Sequence, residues 1–130
     1  LWQSHSDSMA NTFKVTSVSS VPITVGANTS TIYTCPAATT TVVLALLLSN
    51  KHSSSVDTSV QLVSATNNSG NNSNIGSNAS AYIIKDVTID EKTSLELMAG
   101  QKYVLQVGDS VKVYAANTNI DVVFSYMEMT

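Results

Sequence analysis

Residues 42–48 read Val-Val-Leu-Ala-Leu-Leu-Leu, seven apolar residues without a break in a chain of 130 whose polar positions are filled largely by Ser, Thr and Asn. Such a run has to be buried against lipid, against a helix or inside a sheet. A membrane-spanning helix needs about 20 apolar residues, which excludes lipid. A helix in a soluble core also fits poorly, because the run follows three threonines, starts with Val-Val and lacks an upstream capping residue. A buried β-strand remains, with Val42, Leu44, Leu46 and Leu48 on one side and Val43, Ala45 and Leu47 on the other. Both sides are apolar. One therefore faces the core, and the other is expected to meet something too, such as another subunit.

The rest of the chain follows the same pattern. Thr and Val dominate, good helix formers never cluster over ten positions, and the sequence predicts strands at about 12–18, 21–25, 30–35, 40–49, 56–65, 81–89, 93–98, 102–107, 109–116 and 119–128. Alternation is clearest near the end: Val111, Val113 and Ala115 share one face, as do Ile120, Val122, Phe124 and Tyr126, with Val123, Ser125 and Met127 opposite. Turn signals such as Gly-Ala-Asn-Thr-Ser at 26–30 and Val-Gly-Asp-Ser at 107–110 separate the strands. The expected fold is all-β, an antiparallel β-sandwich of about eight to ten strands in two sheets, jelly-roll-like. Residues 10–130 form its single domain, residues 1–9 are a tag or extension in which Met9 reads as a natural start, and 66–81 is a polar Asn/Ser/Gly loop. The opening Leu-Trp-Gln-Ser-His lacks the basic and apolar regions of a signal peptide.

Charge narrows the choice of partners. Six lysines, no arginine and nine acids give a net charge of −3, with no basic face for phosphates or anionic lipid, so neither nucleic acid nor a membrane is expected. Cys35 is the single cysteine and cannot form an intrachain disulfide; beside Pro36 it reads as a small buried residue. Two histidines and one cysteine build no zinc site, the acids match no calcium loop, and there is no phosphate-binding glycine loop, so no cofactor or metal is expected. His52 lies among Ser53, Ser54, Ser55 and Asp57, the members of a triad on paper, but neighbours in one turn cannot hold triad geometry. Gly108-Asp109-Ser110 matches the nucleophile block of GDS-type esterases, yet no histidine follows it. Asp86, Asp90, Glu91 and Glu96 could serve glycoside hydrolysis, but Asp90-Glu91-Lys92 reads as a turn. Sequons at Asn28, Asn67, Asn71 and Asn78 are what an Asn-, Ser- and Thr-rich chain produces by chance. No enzymatic activity is expected.

The segments Tyr-Thr-Cys-Pro at 33–36 leading into the apolar strand, Asp86-Val87 with Ile89, Leu95 to Leu97, the Gly108-Asp109 turn, and Ser-Tyr-Met-Glu-Met at 125–129 together resemble small virion structural proteins of tailed bacteriophages, of the marine cyanophage type. The likeness covers most of residues 10–130, and the polar loop and the segment before Met9 depart from it. It implies a β-sandwich present in many copies on the virion, assembled in the host bacterial cytoplasm, binding copies of itself and other virion proteins and catalysing nothing. Tail, baseplate, fibre attachment, neck and capsid decoration all remain open as its place. Candidate partner contacts are Asn71, Asn72 and Ile75 in the loop, and Tyr126, Met127 and Met129 in the last strand, since Met and Tyr suit adaptable interfaces. The alternative is a carbohydrate-binding module for a host surface glycan, for which the chain has five Tyr, two Phe and Trp2 as aromatics.

Overall fold

The computed structural model describes residues 10–23, 30–65 and 79–130. These residues contain nine strands and no helix: β1 (Asn11–Val18), β2 (Thr31–Thr34), β3 (Thr40–Asn50), β4 (Val56–Val63), β5 (Ala81–Ile89), β6 (Ser94–Glu96), β7 (Tyr103–Leu105), β8 (Ser110–Ala115) and β9 (Ile120–Met129). One sheet runs β1-β9-β3-β6, with β7 also pairing β3, and the other runs β2-β8-β4-β5. Every pairing is antiparallel. The pairs are nested: β4 with β5, β3 with β6 and β7, β2 with β8, and β1 with β9, as in a long ribbon folded at β4–β5 and rolled over itself. The two sheets form the expected all-β sandwich.

Alternating side chains of the two inner faces make the core. Leu46 and Leu48 of β3, Ile120, Val122 and Phe124 of β9, and Val60 and Val113 of the facing sheet are almost fully buried. Tyr33, Phe124 and Tyr126 form an aromatic cluster with ring centroids 4.4–5.4 Å apart. The faces expected for β8 and β9 are those observed.

The faces expected for β3 need correction. Thr41 and Val43 point inward in the first half of the strand, but Leu46, Leu48 and Asn50 do so in the second. Between Val43, opposite Tyr126, and Ala45, opposite Ser125, one extra residue is inserted at Leu44. A bulge of this kind reverses the inside-outside alternation from that point on. The unbroken apolar run therefore fills one inner face in two phases and still leaves Val42, Ala45 and Leu47 half-buried on the outer side.

The strand expected at 21–25 is also absent in its described part. Residues 21–23 are irregular, although Val21 is fully buried and its amide donates to Ile120 O at 2.9 Å. The remainder of that segment, most of the 66–81 loop, the four sequon asparagines and residues 1–9 lie outside the described residues.

Phe124→Ala removes the ring at the centre of the aromatic cluster. The expected loss is about 3–5 kcal/mol of unfolding free energy, read from urea denaturation, whereas truncating exposed Val107 is expected to change it by less than about 0.5 kcal/mol.

Candidate functional site

The outer face of the β1-β9-β3 sheet is the largest departure from an ordinary solvated surface. Partners in register share a face, so its side chains can be read across the strands. One row runs Phe13 (β1), Met127 (β9), Val42 (β3), Val104 (β7). The next runs Val15, Ser125, Ala45, and the third Ser17, Val123, Leu47, Glu96. Phe13 is 71% exposed, Val15 63%, Val104 58% and Val123 39%, while Val42, Leu47 and Met127 are half-buried. Apart from Glu96 at the edge, these rows carry no ionisable side chain. Asp121, at the far end, is paired with Lys51 at 2.7 Å. Beyond the opposite end, where Met129 lies between Asn11 and Thr40, an open depression of about 400 Å³ is lined by Thr40, Gln106, Val107 and Met129.

Strand β1 makes this face unusual. Its apolar residues, Phe13 and Val15, point outward, whereas Lys14 and Thr16 sit on the inward side. Two bonds hold that register: Lys14 Nζ to Glu128 Oε1 at 2.7 Å, and Thr16 Oγ1 with the Tyr126 hydroxyl at 3.2 Å. A slip by one residue would turn Phe13 and Val15 inward and break both.

Glu128 anchors a polar chain through the end of the core. The Tyr33 hydroxyl donates to Glu128 Oε2 at 2.5 Å and lies 2.8 Å from Thr41 Oγ1, which is 3.3 Å from the buried Cys35 Sγ. Tyr33 has one proton and gives it to the carboxylate, so Thr41 donates to Tyr33, while the Cys35 thiol lies 3.3 Å from the Thr39 carbonyl as well as from Thr41. Hydrogen bonds from Lys14 and then Tyr33 hold the Glu128 carboxyl below its ordinary range, against the opposing effect of burial. Burial first, and Glu128 second, keep the Tyr33 phenol protonated far above the usual tyrosine range.

The outer face of the second sheet has a different chemistry. The hydroxyls of Tyr82 and Tyr114 are 2.8 Å apart with their rings edge to face, and Lys85 Nζ lies 5.5 Å from the Tyr82 ring centre. Tyr114 borders a hollow of about 140 Å³ with Asp57, Ser59 and Asp86. Asp86 occupies a left-handed conformation (φ 52°) where extra residues interrupt the β4–β5 register; its amide donates to Ser59 Oγ at 2.9 Å and its carboxylate, held below the ordinary range by Lys85, pairs with that lysine at 2.8 Å.

His52, Ser54, Ser55 and Asp57 line one open hollow of about 380 Å³ with Ala116 and Asn117, but the bonds of His52 and Asp57 run to other residues. His52 Nδ1 lies 3.1 Å from Asn119 Nδ2, and its amide donates to Asn50 Oδ1 at 2.8 Å, while Asp57 accepts from Thr88. Asp109 is buried in the Gly108 turn, where it accepts from the amides of Ala65 (2.8 Å) and Gln106 (3.0 Å) and from Ser64 Oγ (3.0 Å). Gly108 (φ 87°) permits that turn. Glu96, on the first sheet, accepts through Oε1 from the amides of Leu46 and Met98, whereas Asp86 lies on the second. Among the described residues no three His, Cys, Asp or Glu side chains gather as a metal set, and no helix is long and apolar enough to cross a membrane.

Of the residues singled out as partner contacts, Met127 and Met129 lie on the outer face, half-buried. Tyr126 does not: it points into the core, 6% exposed, against Tyr33. Asn71, Asn72 and Ile75 lie outside the described residues. Phe13, Val15 and Val104 went unremarked; the Phe-x-Val alternation at 13–15 was their signal, but only the strand pairing places them beside Met127 and Val42.

The Glu128 chain generates a pH dependence. A folded-state pKa below the unfolded one means that the unfolded chain takes up the proton first as pH falls; the stabilisation is complete above the ordinary carboxylate range and lost as pH drops through the folded value. Glu128→Gln is expected to lose about 1.5–3 kcal/mol at pH 7 and to show a shallower fall in melting temperature on acidification than the parent. Equal slopes would remove Glu128 from the account.

No family model, curated protein or solved structure matches this chain.

Proposed function

We propose that this chain is a non-enzymatic structural protein of a tailed-phage virion, assembling with copies of itself and with other particle proteins in the tail, baseplate or fibre attachment or as capsid decoration. The observation that carries the assembly part is the uncharged apolar surface on the outer side of β1-β9-β3-β7. A contiguous patch of this kind, set on a rigid sheet, marks a protein-binding surface. The phage assignment rests on the likeness of the Tyr33–Pro36, Asp86–Ile89 and Gly108–Asp109 segments to virion proteins. The nested pairing of β1 with β9, β2 with β8, β3 with β6 and β7, and β4 with β5 supports reading the sandwich as a jelly roll, an architecture common in capsid proteins.

A second reading draws on the other sheet. Tyr82 and Tyr114, with Asp57 and Asp86 beside them, offer aromatic rings and carboxylates to a host glycan. Their hydroxyls and carboxylates are already bonded to one another, to Lys85, to Ser59 or to Thr88, so a sugar would have to displace internal partners. The assembly reading is therefore preferred.

Gold-labelled antibody against the chain, applied to intact particles, is expected to decorate a fixed location on each virion. Purified particles devoid of the chain would contradict the reading. Retention of host polysaccharide on a glycan array, abolished by Tyr82→Ala, would move the function to the second sheet. Hydrolase turnover abolished by His52→Ala or Ser110→Ala would make the protein an enzyme.

A further inference from the structure

We propose that the outer face of β1-β9-β3-β7 seats a second copy of this chain, face to face about a two-fold axis, so that two sandwiches form a four-layer dimer. This rests on the assembly reading above and names its first partner.

Three observations support a second copy rather than an unlike protein. The first is the orientation of β1. An edge strand ordinarily turns its apolar side to the core, but here Phe13 and Val15 face away from it while Lys14 and Thr16 bond inward to Glu128 and Tyr126. The outward side of β1 is thus its apolar side, and it continues without interruption into Met127, Val42 and Val104.

The second is charge. In a two-fold interface the same patch meets itself, so an ionised group near the axis faces its own copy and repels it. The rows through Phe13, Val15 and Val123 carry no charge until Glu96 at the edge. The face can meet itself without like-charge conflict, and it offers an acidic or basic partner no countercharge.

The third is size and relief. The three uncharged rows, Val123 to Met127 on β9, cover roughly 330 Å² per copy, and the whole ten-residue length of β9 with the Asp121 row included, at about 3.4 Å per residue across four strands about 4.8 Å apart, roughly 600 Å². Two copies in contact over that whole length would cover about 1,200 Å², the lower bound of a stable interface. Between the Phe13–Met127–Val42 row and the Val123–Leu47 row, the smaller Ser125 and Ala45 follow Val15 across the sheet. By contrast the outer side of the second sheet displays Lys85, Asp86, Asp57 and Thr88, bonded among themselves, as a solvated surface does.

Sedimentation equilibrium of the full chain over about 1–100 μM tests the proposal, a span on either side of the micromolar affinity that small interfaces reach. The expected result is a species of twice 13.7 kDa that dissociates on dilution. The double variant Phe13→Lys, Val15→Lys changes only strongly exposed side chains; it is expected to raise the dissociation constant at least 100-fold with an unchanged circular dichroism spectrum. Tyr82→Ser, on the other sheet, is expected to leave the dimer intact, and Met127→Lys serves as an independent disruption should the double variant misfold. A monomer throughout the range overturns the inference, as does a dimer that survives the charged variants or dissociates only with Tyr82→Ser. A monomer from a chain that antibody finds on virions would sink the dimer and spare the virion reading. A dimer broken by the variants, from a chain absent from virions, would do the reverse.

Discussion

The buried carboxylate of Glu128 sets the phase of the sheet on which the rest of the account depends. It lies in the last strand between Met127 and Met129, and turning it inward toward Tyr33 and Lys14 necessarily turns both methionines outward. Through Lys14 it fixes the register of β1 and sends Phe13 and Val15 to the same side as Met127. A charged group inside a core is costly unless it is fully bonded. Here both carboxylate oxygens have donors, and Tyr33 in turn accepts from Thr41. The interaction therefore specifies one pairing rather than simply adding stability.

That phase gives the protein two apolar layers with different partners. The inner one is satisfied by the facing sheet, where Phe124, Leu46 and Leu48 meet Val60 and Val113. The outer one has no second sheet of this chain over it among the described residues. The bulge at Leu44 makes both possible from one strand: it lets Thr41 and Val43, then Leu46 and Leu48, face inward while Val42, Ala45 and Leu47 supply the outside. Without it, half of the run would be out of step with β9.

Much of the fold was legible in the sequence, because strand positions follow from local composition and turn chemistry. The alternation in β8 and β9 gave the correct inner faces, and Gly108-Asp109 proved to be a turn, with Asp109 tying it to Ala65 and Gln106. What local pattern could not supply was pairing across long separations, since nothing near Phe13 says that it lies opposite Met127. Nor could it supply the bulges at Leu44 and around Asp86, which depend on matching two strands of unequal count. Tyr126 was misread for a related reason: a tyrosine beside two methionines looks like an interface cluster until Glu128 is seen to belong to the core. The apolar run does carry apolar side chains on two sides, but as Val43, Leu46 and Leu48 inside and Val42, Ala45 and Leu47 outside rather than in strict alternation.

The outer face is open in one chain and closed by association. Solvent paramagnetic relaxation at the Phe13 ring and at the Val15, Val104 and Met127 methyl groups, recorded for dilute and concentrated protein, tests this directly. Strong attenuation at low concentration and protection of all four at high concentration are predicted, with the Val60 and Val113 methyls shielded in both. Protection of Phe13 and Val15 in the dilute monomer would mean that β1 turns its apolar side inward, and equal exposure at both concentrations would mean that the face meets no second copy; either result contradicts the account.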